Sequence, residues 1–506
     1  MAKVQSNSLS MFSSCTFPLV AALVMMRPEQ PGTRRGLFAI SIPSRRKAGE
    51  HGNLREEQGD RNMRRGWKTG LAGAVLLPAI GMLAVSCGKS ATDAQLNGDT
   101  PEAGKSSAVA VTKEPVELTY LISPGGLNQA DFEQNINQQV RKKYPNFTIK
   151  PLEMWPQDAL ATHTSFDIIG GSFTTIGTLV DLGITTDITD AAQKYGVDLE
   201  RFEPNLLKSI READGGKLFG LPYYANHQVM FYNKDLFDKF GAAYPKDNMT
   251  YEETLEIARK MTRTEGGVTY RGFAGDLNSI LGQNRYAASV VDPATHKASF
   301  AGDDRWRRLF DSLIPLFQVP GYNASEKLLD RNAQRDLFRK EKSAAMWVSG
   351  ASEYPRPEDR VNWDMVSEPV FSDYREGGPV AIFGLYLVSS TSKHKEEAVL
   401  AVEQLTSDEV QVWRAEQMTL MPVLRDPQIK AAIGRAAAFQ GKNLKALTPA
   451  SYSEPVHFGP YYADARKPLY QNLLQAITGA MDVNTALRDA TEAANKAIEA
   501  KLSASK

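Results

Sequence analysis

Strand-like and helix-like segments alternate through the middle of this chain, and that order constrains the fold more than any other feature. Val116 to Ile122 reads VELTYLI, rich in β-branched and aromatic residues, as a strand requires. Ala130 to Lys143 has the spacing of an amphipathic helix, and Phe147 to Leu152 reads as a second strand. Phe166 to Ile169 follows as a short buried strand closed by Gly170 and Gly171. Strand, helix, strand at this spacing predicts a parallel α/β unit. Open α/β sheets place ligands beyond the carboxyl ends of their strands, so Gly170, Gly171, Ser172 and Phe173 are expected there. A Gly-Gly pair is equally a tight turn.

Further along, Val229 to Asn233 reads as a strand, and Lys234 to Phe240 as a short helix ended by Gly241. Thr250 and Glu253 make a capping box at the start of a helix with Leu255, Ala258 and Met261 on one face. Arg335 to Lys342 is a helix end. Ala344 to Val348 is a buried strand stopped by Ser349 and Gly350, and Gly384 to Val388 is one more strand. Helices are expected over His394 to Leu405, Leu469 to Ile477 and Asn484 to Leu502, the last with Asn484 as N-cap.

Upstream, Met63 to Cys87 reads MRRGWKTGLAGAVLLPAIGMLAVSC: a basic head, a short apolar run, then small or medium residues before a cysteine. This resembles a bacterial lipoprotein signal, in which the cysteine becomes a diacylglyceryl-modified N-terminus, although Leu83 sits one place upstream of the usual leucine. The resemblance implies lipidation at Cys87 and anchoring in a bilayer at the extracytoplasmic face of the cell membrane. The apolar run is shorter than the ~20 residues needed to span hydrocarbon. Residues 1–62 hold no sustained period and read as a mis-annotated or disordered leader, with translation expected to start at Met63. Residues 63–86 would be the signal peptide and 87–112 a flexible tether rich in Gly, Ser, Thr and Ala.

The stretch from Cys87 to Lys506 is too long for one ordinary core and suits two lobes. Lysines and arginines number 59, as do the acids, and this balance gives no reason to expect a nucleic-acid partner. The 2 cysteines are Cys15 and Cys87, so the exported body holds neither a disulfide nor a thiol ligand. The 6 histidines include no HxxxH or HxH arrangement, and neither a metal nor a cofactor is expected.

The ordered segments FDIIGGSF, GKLFGLPYYANHQVMFYNKDLFDKFG, TYEETLEIARKM, SAAMWVSG and YLVSSTSKHKEEAVLAVEQLTS resemble the family 1 extracellular solute-binding proteins of ABC importers, the maltodextrin-binder group. The resemblance runs from about Val116 to Leu502. It implies an α/β, two-lobed fold of the type II periplasmic-binding-protein kind, with a hinge and an interlobe ligand cleft. Lobe one would hold 113–227 plus 381–435, and lobe two 230–375 plus 436–506. The implied role is a membrane-anchored subunit, a monomer, that captures a carbohydrate, an oligosaccharide above all, by lobe closure and delivers it to two permease subunits.

A sugar site calls for aromatic platforms beside planar amides and carboxylates. By the resemblance, Trp347 is placed as a sugar-stacking ring, with a core tryptophan as the alternative. Phe173 would line the lobe-one wall. Tyr223, Tyr224 and Asn226 would present polar contacts before the first crossing. Glu353 could accept from sugar hydroxyls or be a solvated loop charge. Asp276 and Asn278 would stand at the rim of lobe two, and Tyr461 and Tyr462 before the C-terminal helices.

Ser390 to Lys393 matches SxxK, a nucleophile motif, but the Lys68 to Gly70 triplet that could complete it lies in the signal, and hydroxyl residues between a strand and a helix cap. No catalytic residue is expected. The other readings are a ligand-sensing lipoprotein that reports to a membrane sensor and a glycoside hydrolase using Asp276 and Glu353.

Overall fold

A computed structural model describes residues 111–504 apart from 125, 126, 213, 214, 455 and 460. The signal, Cys87 and nearly all of the tether lie outside the described residues. The strands are β1 (Val116–Ile122), β2 (Phe147–Glu153), β3 (Ile168–Ser172), β4 (Gly220–Asn226), β5 (Gln228–Asn233), β6 (Arg263–Glu265), β7 (Val268–Gly275), β8 (Ala344–Gly350), β9 (Trp363–Ser367) and β10 (Ile382–Val388). Among the described residues they form two five-stranded sheets, ordered β2-β1-β3-β10-β4 and β6-β7-β8-β5-β9. This is the mixed α/β, two-lobed architecture, the α/β class expected from the alternation of elements and the two lobes from chain length and the family resemblance.

In the first sheet β1 runs parallel to β2 and β3, while β10, from far along the chain, runs antiparallel between β3 and β4. In the second, β7 and β8 are parallel and β5 is antiparallel to β8 and β9. The inward faces are apolar. In the helix Asp304–Phe317, Trp306, Leu309, Phe310, Leu313, Ile314, Leu316 and Phe317 are buried. Each such side chain contributes about 1.5–3 kcal/mol of hydrophobic stabilisation. A separate core on the other face of the second sheet gathers Val229, Phe231, Phe338, Trp347, Trp363, Met365 and Phe439.

Local signals fix many boundaries. The Thr250 hydroxyl accepts from Glu253 N–H at 3.1 Å while the Glu253 carboxylate accepts from Thr250 N–H at 2.8 Å, closing the capping box. Ala258 and Met261 are buried on that helix and Leu255 is half-buried. The segment expected as one helix over 130–143 contains a π turn at Glu133–Asn137 between α-helical pieces.

Three expectations are corrected. Gly170 and Gly171 do not close a strand but lie inside β3, opposite Tyr386 and Leu385. The Tyr120 hydroxyl occupies the space a Cβ at position 170 would fill, so glycine serves close packing there, not a turn. Ser349 and Gly350 continue β8 instead of stopping it, because both pair with β5. The last helix, Val483–Ala504, is capped by Asp482, which accepts from Asn484 N–H at 2.9 Å and Thr485 N–H at 3.2 Å; Asn484 stands inside it.

Candidate functional site

Strand direction decides where the site lies. β4 is antiparallel to β10, which is antiparallel to β3, so β4 runs with β1 and β3 and ends beside them at Asn226. The chain passes through His227 and enters β5 at Gln228, which pairs with Gly350 at the carboxyl end of β8. Because β7 runs with β8, the carboxyl ends of β3, β4, β7 and β8 converge on this one crossing. Loops at such ends are where open α/β sheets hold ligands.

A β-bulge shapes the lobe-one side. Gly384 pairs with Tyr224 but Leu385 pairs with Pro222, which leaves Tyr223 as an extra residue in β4. Bulges re-aim side chains. Tyr223 turns inward, stacks on Tyr386 with centroids 4.2 Å apart, and lies 5.1 Å from the Arg414 guanidinium. Arg414 is buried and donates to Tyr386 Oη at 2.7 Å and Leu405 O at 2.6 Å. Tyr224 lies half-buried across Gly384, where any Cβ would strike its ring. Desolvation, then the neighbouring Tyr386, push the Tyr224 hydroxyl up to about 12, so it stays a neutral donor and acceptor at neutral pH.

On the lobe-two side, Asp276 follows β7 directly and caps the helix Leu277–Gly282, accepting from Ser279 N–H at 3.3 Å and Ser279 Oγ–H at 2.7 Å. Arg331 begins the helix Arg331–Arg339, whose cap is Asp330. Its Nε donates to Asp276 at 2.8 Å and its Nη2 to Glu353 at 2.9 Å. One guanidinium thus joins a carboxylate beyond β7 to another beyond β8. Ser352, beside Glu353, donates its backbone N–H to Asn226 Oδ1 at 3.1 Å. Arg356 donates to Ser352 O at 3.0 Å and lies 3.7 Å over the Tyr354 ring, and burial holds its basicity below the usual value. Two carboxylates and two guanidinium groups balance in charge.

The structure therefore brings Asn226, Asp276 and Glu353 into one polar network, with half-buried Tyr224 two residues from Asn226. Asn278 is half-buried on the helix that Asp276 caps. The other expected residues lie elsewhere. Trp347 is enclosed at 2% exposure between Phe231 and Phe338, because its side of β8 faces the second core. Phe173 is buried, stacked 4.4 Å from Phe383 with Phe458 edge-on. Tyr223 is buried as described, and Tyr462 packs its buried ring against Phe458. Each was expected to contact solute, and each is instead buried against protein neighbours. Tyr461 is half-buried, edge-on to His296 with the Lys501 ammonium 5.7 Å from its ring centroid.

Sequence reasoning missed Arg331 and Ser352. Asp330 before an amphipathic run was the available signal for the first, and nothing in sequence marked the second. In the SxxK segment, Ser390 Oγ donates to Gly183 O at 2.6 Å and Ser392 Oγ to Asp167 at 2.6 Å, which makes both serines loop ties.

Two α/β lobes, joined where strand ends and a polar network meet, define a two-lobed binding protein of the periplasmic type. The chain belongs to the family of bacterial extracellular solute-binding proteins, which it matches over residues 126–412. A mannitol-binding protein of Pseudomonas aeruginosa is 29% identical over 159 residues, 29% of this chain; the chain spans only 35% of that relative's length. Among solved structures, a sugar transporter of Rhizobium etli in an open conformation superposes with a TM-score of 0.63 at 20% identity, over 75% of this chain and 99% of that one. An ABC substrate-binding protein of Listeria monocytogenes in complex with cycloalternan superposes at 0.61 and 17% identity, over 76% and 100%. At these identities the two structures establish the fold.

Proposed function

We propose that this protein is the binding subunit of an ABC importer, that it captures a neutral carbohydrate, an oligosaccharide above all, between its lobes, and that it delivers the solute to two permease subunits. The observation that carries this reading is the Asp276–Arg331–Glu353 bridge beyond β7 and β8, linked through Ser352 to Asn226 at the interlobe crossing. Glu353 and Arg331, the more exposed members, offer charged hydrogen-bonding contacts to vicinal hydroxyls, while Asp276 and Asn226, both buried, hold them in place. With Arg356 beside them, the two carboxylates and two guanidinium groups balance in charge, which favours a neutral solute over a phosphorylated one. Tyr224 supplies a ring face and a hydroxyl next to them. Asn278 and Tyr461 are further contacts that closure would add.

Closure needs differential binding. Moving a two-state equilibrium from 1:99 to 99:1 takes about 5.5 kcal/mol, within reach of a few charge-assisted hydrogen bonds made only in the closed state. The lobes would comprise 113–227 with 381–435 and 230–375 with 436–506, and the chain would act as a monomer without catalysis. Diacylglyceryl modification at Cys87 would anchor it at the outer face of the membrane, two acyl chains sufficing for stable attachment.

Calorimetry with mannitol, maltose, mannotriose and glycerol 3-phosphate tests the reading. A neutral sugar should bind and raise the melting temperature, since a ligand of the native state stabilises it. Binding of glycerol 3-phosphate alone, or turnover of an oligosaccharide, overturns it. Loss of sugar uptake on gene deletion separates transport from sensing, and intact-mass measurement shows whether Cys87 is acylated.

A further inference from the structure

We propose that Gln283, which makes no bond to the Asp276–Arg331–Glu353 bridge, is a positioning residue that pins the two hinge passages together and sets the axis on which the lobes turn. Gln283 is buried, just past the end of the helix Leu277–Gly282 in lobe two. Its Nε2 donates to Asn226 O at 3.1 Å and to Val380 O at 3.1 Å. Asn226 is the last residue of β4, on the outgoing passage, and Val380 lies just before β10, on the return. Both partners are carbonyl oxygens, so the NH2 side of the amide must face them and its orientation is fixed by chemistry.

The surrounding ties have the same character. His227, between β4 and β5, places Nε2 2.9 Å from Ala446 O, which makes Nε2 the protonated nitrogen. Ser453 N–H donates to Pro379 O at 3.0 Å. Three passages, near 226–228, 379–380 and 446–453, are laced side by side, and Gln283 bonds two of them through one nitrogen. A hinge concentrates its change in a few element-terminal residues. The carbonyls at Asn226 and Val380 occupy such positions, and a shared donor keeps them from moving independently. Without it both carbonyls would lose this shared donor and could turn independently toward others. Lobe motion would then spread over several arrangements instead of one axis.

This inference rests on the reading that the lobes move about this crossing to capture solute, so the test is made first without solute. The full chain carrying Cys15→Ser and Cys87→Ser has no thiol, and Lys150→Cys and Glu256→Cys place spin labels on exposed sites of the two lobes. Gln283→Met keeps the volume and removes the donor. Gln283→Asn, shorter by one methylene, serves if the first variant fails to fold. Gln404→Met is the control: Gln404 is equally enclosed and donates to Gln139 O at 3.2 Å, away from the passages. The interlobe distance distribution should broaden or split in the Gln283 variants and stay as in the wild type for Gln404→Met. A distribution unchanged in the Gln283 variants overturns the proposal, as does equal broadening in the control. Adding mannotriose to the labelled wild type reports separately on solute closure, so the proposal and the solute reading can fail independently.

Discussion

Arg331 donates through Nη2 to the Glu353 carboxylate at 2.9 Å, linking a helix start to the loop beyond β8. Glu353 sits in that loop, three residues past the end of β8, and the bond removes its freedom to swing. A charge-assisted hydrogen bond contributes about 1.5–3 kcal/mol. Glu353→Gln should therefore weaken binding of the sugar identified by calorimetry by roughly tenfold, and Arg331→Leu by more, because it releases Asp276 as well. Glu353→Gln should leave the urea midpoint nearly unchanged, because the Arg331 side chain is 38% exposed, whereas Arg331→Leu should lower it, because the Asp276 side chain, 3% exposed, loses its cation partner. A large midpoint shift with unchanged affinity would make the bridge structural.

Trp347 leads to the opposite expectation. At 2% exposure between Phe231 and Phe338, its removal leaves a cavity in the second core. Trp347→Ala should lower unfolding free energy by about 3–5 kcal/mol. Molecules that remain folded should keep the wild-type sugar affinity, which calorimetry well below the melting transition checks.

Two buried groups beside the hinge give stability a pH dependence of worked sign. Burial raises Glu368 from its ordinary 4.5 to about 8, although Arg285 Nη1 lies 4.0 Å away and opposes the shift. The folded chain then holds a proton that the unfolded chain has lost, so Glu368 costs stability as pH rises from about 4.5 to about 8. Burial, opposed by the hydrogen bond to Ala446 O and aided by Arg285, lowers His227 from 6.5 to about 4. Stability from His227 is present above about 6.5 and lost as pH falls toward about 4. The two slopes oppose each other below about 6.5; above it Glu368 acts alone, at no more than ~1.4 kcal/mol per pH unit. Urea midpoints should fall between about pH 6.5 and pH 8 in the wild type and stay flat over that range in Glu368→Gln. A fall that persists in Glu368→Gln assigns it elsewhere.

Tyr224 is half-buried on a bulge, so its ring can be removed without opening a sealed core. Tyr224→Ala should weaken sugar binding by about tenfold or more, the loss of one stacking face and one hydroxyl. Tyr224→Phe should recover the stacking share. Equal affinity for all three proteins in calorimetry would remove Tyr224 from the site.

Local chemistry made much of the fold legible. The β-branched run at Val116–Ile122, the Thr250–Glu253 box and the helix Lys234–Phe240 lie where their sequences place them, because period, capping and turn residues act within a few positions. The order of these elements was enough to set an α/β class, while the two lobes followed from chain length and from the family resemblance. Side-chain facing was less legible. Phe173, Tyr223, Trp347 and Tyr462 have the residue types of a sugar site, yet strand parity buries Trp347, the bulge turns Tyr223 inward, and Phe173 and Tyr462, both on helical turns, are buried against Phe458. Asp276, Glu353 and Asn226 were readable as polar loop residues. Their union was not, because Arg331 stands 55 residues from Asp276 and 22 from Glu353. Sequence by itself marked β1, β2, β3, β5, β8, β10 and several of the helices, since those choices are made by near neighbours, while β4, β6, β7 and β9 emerge only with their sheet partners. Only the tertiary structure decided which side chains meet at the crossing, since that depends on contacts between segments far apart in the chain.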